Sequence, residues 1–235
     1  MDFPKLVALL HTRKLFFSRA DKFEDPFEGS SPQGVIEARK TMLAQIEQDP
    51  QYMHTPEKRE EILRSYDDLP ETLATWRKFI AVNSWHKNDG ESMAMWKLYF
   101  SSNEGVAIQS TYRRLQQSFC GAKETINIGL VKYIDYETET FSTLNLDYWF
   151  MHKRRCFEHE HEVRCLARRY PEHWRNAPLI KEGVSIPVDL DVLIENVYVA
   201  PTSPSWFLDV VNATMDKFGR VKIAIKSPSA DQPKF

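Results

Sequence analysis

Apolar and polar positions along the chain follow two rhythms, one near 3.6 residues and one near 2, and the changes between them mark its elements. Leu6, Val7, Leu9 and Leu10 give Phe3 to His11 a helical face, and Lys14-Leu-Phe-Phe-Ser18 then reads as a strand. Arg19 to Gly29 mixes aromatic, acidic and turn-forming residues, with Asp25 kept extended by Pro26, and predicts a structured loop. Helical patterns follow over Pro32 to Asp49, Pro56 to Tyr66 and Glu71 to Phe79, with prolines where helices commonly begin. This helical segment, 32–79, is charged enough to cover a sheet with its outer side in water.

A strand at Ile80 to Trp85 runs into the polar turn His86-Lys-Asn-Asp-Gly90, a helix at Glu91 to Phe100, a strand at Gly105 to Ser110 and a helix at Thr111 to Phe119. Thr125 to Tyr136 alternates as one long strand, Leu146 to Arg155 suits a helix, and the stretch after it returns to strand period. Strands at Gly183 to Val188 and Glu195 to Ala200, a helix at Ser205 to Phe218 and a strand at Arg220 to Lys226 complete the order, with 227–235 as a mobile tail. Irregular interleaving of helices and strands predicts an α+β fold, a single domain over 1–226.

Composition keeps this within ordinary globular proteins. The chain is 42% hydrophobic, and an aromatic share of 12% argues against disorder. With 31 basic and 33 acidic residues, no global field draws it to nucleic acid or an anionic membrane. Cys120, Cys156 and Cys165 form no CxxC pair, which fits reduced thiols in a cytoplasm. No apolar run reaches bilayer length, and the apolar core of MDFPKLVALLHTRK is too short for a secretory signal.

The densest chemistry lies in Arg155 to Arg169, RCFEHEHEVRCLARR. At strand period Glu158, Glu160, Glu162 and Arg164 share one face, and Phe157, His159, His161, Val163 and Cys165 the other. The ionic face suits a cleft in which Arg164 keeps a glutamate charged, and it suits an exposed ion-pair ladder equally. His159 and His161, with His152 or a cysteine, have chelating spacing for zinc, and Glu158, Glu160 and Glu162 could serve a magnesium nuclease. Elsewhere, His86 sits in a loop after a strand, where catalytic groups are often held. Trp96 and Tyr99, three apart on a helix, suit core packing or ring stacking. Asp25, Pro26, Phe27 and Glu28 suit a turn or a ligand contact, and Lys153-Arg-Arg155 is the local basic concentration.

Three blocks together resemble a bacterial family known as domain of unknown function 2971: Leu15-Phe-Phe-Ser-Arg-Ala-Asp-Lys-Phe-Glu-Asp-Pro-Phe-Glu28, Met95-Trp-Lys-Leu-Tyr99 with Gly105-Val-Ala-Ile108, and Glu160-His-Glu-Val-Arg164. The layout is more remotely similar to the ADP-ribosyltransferase superfamily. That resemblance implies a mixed or split β-sheet of about six to eight strands flanked by helices, holding NAD as substrate. It implies Glu162 as the catalytic carboxylate, with Glu160 orienting or deprotonating the acceptor, and His86, a candidate from its loop position alone, is added to them as a catalytic residue. Trp85, Trp96 and Tyr99 would stack on rings, Arg19 or Arg164 would take the pyrophosphate, and no metal is implied. The expected setting is a cytoplasmic transferase in toxin or phage-defence biology, with a nucleotide as small-molecule partner and the acceptor open. A binding or regulatory module using the same motifs in its core is the alternative.

Overall fold

The computed structural model describes residues 1–48, 55, 57, 60–61, 64, 69–99, 104–169, 181–219 and 223–230. The helix expected over Pro56 to Tyr66 therefore lies outside the described residues, apart from isolated positions. The architecture is α+β, a five-stranded antiparallel sheet with smaller sheets beside helices. The chain divides into two compact units, one made of 1–16, 87–125 and 185–235, the other of 17–86 and 126–184.

The first unit begins with α1 (Phe3–Thr12). Asp2 caps it by accepting the Lys5 N–H at 2.9 Å, and Leu6, Leu9 and Leu10 are buried at helical spacing. Arg13, at φ 53°, ends it by donating its N–H to the Leu9 carbonyl. β1 (Lys14–Arg19) follows and continues into the second unit. Two further helices belong here, α4 (Met93–Tyr99) and α5 (Tyr112–Ser118), the latter capped by the Thr111 hydroxyl. β3 (Val106–Gln109) pairs antiparallel with β9 (Asn196–Val199), which pairs parallel with β10 (Ile225–Lys226). Between them, α6 (Leu190–Leu193) is capped by Asp189, and α7 (Ser205–Lys217) buries Phe207, Val211 and Met215 four residues apart. The Phe207 ring meets Phe3 edge-on at 5.5 Å. Of the segment expected as a tail, Ser227 is buried and gives its hydroxyl to Glu91, which also accepts the Ser229 N–H at 3.0 Å.

The second unit is built on β4 (Ile126–Leu130), β7 (Glu162–Arg168) and β2 (Ile80–His86) of the large sheet, whose full order is β4, β7, β2, β1, β8 (Gly183–Pro187), β1 and β8 each being divided between the units. Its core sets Ile80, Val82 and Leu166 against Val35 of α2 (Gln33–Gln48), Leu73 of α3 (Leu69–Trp76), Trp149 and Phe150. β7 is an interior strand, flanked by β4 and β2, and its residues from Glu162 to Ala167 are buried on both faces. A pair of short parallel strands, β5 (Lys132–Ile134) and β6 (His152–Arg154), stands beside it.

Three elements depart from the pattern-based reading. The long strand expected over Thr125 to Tyr136 breaks at Val131: its N–H goes to the Glu162 carbonyl, the Lys132 N–H goes to the Met151 carbonyl, and β5 turns to meet β6. The helix expected over Leu146 to Arg155 is a 3-10 turn at Leu146–Phe150, capped by the Asn145 side chain, and β6 follows Met151 directly. The charged stretch is not one strand. Arg155–Glu160 forms a 3-10 turn, His161 adopts a left-handed conformation with φ 41°, and β7 starts only at Glu162. Three glutamates two residues apart on one strand face would repel, whereas the turn lets two of them converge on a cation. The proposed face of Glu158, Glu160, Glu162 and Arg164 does not exist as such.

Candidate functional site

β7 carries three charged residues, Glu162, Arg164 and Arg168, on the sheet face that also holds Leu166. Across the ladder Glu162 faces His86 and Arg164 faces Ser84, so this face runs from apolar at Leu166 to ionic at Glu162. Arg164 is 1% exposed, and its guanidinium makes five hydrogen bonds. Nη1 and Nη2 grip both oxygens of Glu28 at 2.6 and 2.8 Å, Nη1 also reaches the Phe150 carbonyl, and Nε and Nη2 hold Glu162 at 2.7 and 3.3 Å. Every N–H of that group has an acceptor, which is how a buried guanidinium is tolerated.

Lys153 of β6 enters the same cluster. Its ammonium donates to Glu162 at 3.0 Å, bonds Glu160 and lies 3.3 Å from Glu28, with the Phe157 ring 4.5 Å away. The backbone N–H of Glu162 donates to the Tyr133 hydroxyl at 2.8 Å. Just outside, Arg154 pairs with Asp25 at 2.8 Å and lies over the Phe27 ring.

Charge bookkeeping explains the protonation states. Glu28 and Glu162 are balanced by Arg164 and Lys153, which leaves Glu160 as a surplus carboxyl. Burial, and a hydrogen bond shared with Glu162, raise Glu160 to about 7, against the opposing pull of Lys153. Burial would raise Glu162 too, but the Arg164 guanidinium overrides it, helped by Glu160 and Lys153, and holds it well below the ordinary carboxylate range. Burial works against the Lys153 ammonium, yet its carboxylates, Glu162 foremost, keep it charged far above neutrality. Burial lifts the Tyr133 phenol to about 12. Two adjacent carboxyls with opposite shifts can divide acid–base work between them.

His86 lies at the rim. Its Nδ1 is 2.6 Å from the Glu160 carbonyl oxygen, which can only accept, so Nδ1 is the donor, and Nε2 is buried without a protein partner. The His161 ring approaches it edge-on at 6.1 Å.

Of the residues singled out from sequence, Glu160, Glu162, Arg164 and His86 come together here. Arg19 and Trp85 do not: Arg19 stands opposite Ala81 and Trp85 opposite Val163, which puts both on the other face of the sheet from Glu162. Arg19 is bound to Asp21 at 2.5 Å, and Trp85 donates its ring N–H to Asn83. Trp96 and Tyr99 belong to the other unit, Trp96 buried and Tyr99 59% exposed. Arg164, expected to take the pyrophosphate, gives all five of its N–H groups to acceptors inside the protein. His152 is stacked on Phe141 at 4.3 Å with its Nδ1 on the Tyr148 carbonyl, and among the described residues no three His, Cys, Asp or Glu side chains group as metal ligands.

Sequence reasoning missed Glu28 and Lys153. The first sits in Asp-Pro-Phe-Glu28, read as a turn or a ligand contact with no partner named, and the second in the local basic concentration Lys153-Arg-Arg155, which was not joined to the glutamates. Their signal was a balance, since an arginine buried with Glu162 has donors left for a second carboxylate, and carboxyls gathered around it need a second cation. Set against protein-family models, curated proteins and solved structures, the chain matches none. No helix of the described residues is long and apolar enough to cross a membrane.

Proposed function

We propose that this chain is an NAD-using transferase of the ADP-ribosyltransferase type, within the domain of unknown function 2971 family, with Glu160 and Glu162 as its working carboxylates. The observation that carries the reading is the split pair: Glu162 at the start of β7 is fixed in its charged form, and Glu160 beside it titrates near neutrality. Glu28 of the first motif and Glu160, Glu162 and Arg164 of the third meet in this cluster. In the reaction, the acceptor attacks the ribose carbon of NAD as its bond to nicotinamide breaks. Glu162 stabilises the oxocarbenium-like charge, and the acceptor's proton passes to Glu160. The reading rests on this pair and assigns no pyrophosphate ligand.

The test is calorimetric titration with NAD alongside nicotinamide release, on wild type, Glu162→Gln and Glu160→Gln, with the fold checked by circular dichroism. Release should rise with pH through about 7 as Glu160 becomes a base, lose that dependence in Glu160→Gln and fall at least a hundredfold in Glu162→Gln, a loss of about 3 kcal/mol. No heat and no release at millimolar NAD would end the proposal.

A second reading, a non-catalytic binding module held together by a buried ion network, is favoured by the five satisfied bonds of Arg164. Under it, Glu162→Gln changes stability and no reaction.

A further inference from the structure

Ile36, Arg39, Lys40 and Leu43 follow one another at helical spacing and share one face of α2. With Leu73 of α3, and with Arg77 one turn further along the chain, they line a cavity of about 470 Å³ inside the second unit. Three cations border this cavity, and among its described lining residues there is no carboxylate and no aromatic ring. Its remaining walls are largely aliphatic, and Ile36 stays 36% exposed on them.

The three cations are not equally committed. Lys40 pairs with Glu37 at 3.0 Å, and Arg39 has an interaction of its own. Arg77, half-buried, has neither hydrogen bond nor ion pair among the described residues. Its stem is held close to Gly29, where a Cβ would stand 3.3 Å from its Cγ. The Nε is buried without an acceptor, so the charge can be answered only through the two terminal NH2 groups, which remain accessible. A guanidinium drawn partly out of water with no counter-charge is costly, and an anion in the cavity would relieve it.

We propose that this cavity binds a single-chain amphiphile with a carboxylate head. The terminal NH2 groups of Arg77 take the two carboxylate oxygens, and the alkyl chain lies against Ile36, Leu43 and Leu73. One unanswered cation matches a monoanion, and aliphatic walls without a ring suit a chain better than a stacked base. The site does not rest on the transferase reading, and its test contains no NAD, so the two can fail independently.

The experiment is calorimetric titration of the full chain at pH 7 with octanoate, with octan-1-ol, which keeps the chain without the charge, and with acetate, which keeps the charge without the chain. Octanoate should bind saturably, and each of the others at least tenfold more weakly. Arg77→Gln breaks no ion pair and should bring octanoate down to the level of octan-1-ol. Ile36→Glu, at an exposed helical position, should weaken octanoate at least tenfold by setting a like charge beside the chain. Circular dichroism checks the fold of both variants. No saturable octanoate binding, or equal affinity for octan-1-ol, would overturn the proposal on wild type alone, and so would a folded Arg77→Gln protein that keeps the preference for octanoate.

Discussion

At the scale of single residues, Arg164 is the position on which most depends. Arg164→Met leaves Glu28 and Glu162 buried without their main counter-charge and should cost about 3–5 kcal/mol in urea unfolding. Adding Glu28→Gln should recover part of that loss, because one stranded charge is removed. Glu160 gives a pH signature. Its folded value is raised, so the folded state holds a proton that the unfolded state releases between about 4.5 and 7. Stability from this group is therefore full below 4.5 and declines as pH rises through 7. Glu162 has the opposite sign, contributing above its ordinary value and losing its contribution on acidification. Glu160→Gln mimics the protonated form at every pH. It should gain on wild type between pH 5 and pH 8 by on the order of 2 kcal/mol, measured by urea unfolding at the two values.

At the scale of elements, periodicity found most helices and strands because their buried faces are plain. Leu6, Leu9 and Leu10 in α1, and Phe207, Val211 and Met215 in α7, have no competing role. It failed where a segment's partners are remote in sequence. Nothing local in Thr125 to Tyr136 says that Val131 must give its N–H to Glu162, and nothing in the glutamate run says that Lys153 waits at the turn. The third motif could thus be marked as chemistry but not folded from its own residues. Gly34 in α2 illustrates the same limit of local propensity. Alanine there raises intrinsic helix preference by roughly 0.5–1 kcal/mol. Its Cβ would, however, stand 2.7 Å from the Glu139 carbonyl oxygen. Gly34→Ala should therefore destabilise the protein by about 1–3 kcal/mol, a sign that thermal unfolding can check.

At the scale of the whole molecule, the chain passes between its two units four times, at 16/17, 86/87, 125/126 and 184/185. Neither unit is a contiguous piece of sequence. A chain ending at 184 keeps β3 but lacks β9, its antiparallel partner, and it loses α7 with Phe207, Val211 and Met215. Such a truncation should show no cooperative unfolding of the first unit, read as loss of near-ultraviolet circular dichroism from Phe3 and its aromatic surroundings. The grip of Arg164 on Glu28 spans 136 positions. During synthesis at roughly 5–20 residues per second, Glu28 leaves the ribosome on the order of ten seconds before the arginine that will neutralise it. Over that interval its carboxylate belongs in water, and the apolar face around it cannot close dry. The ion cluster thus acts as a lock whose key is made late: a nascent chain cannot seal this core around the wrong strand, because among the described residues no arginine other than Arg164 is buried to take both oxygens of Glu28.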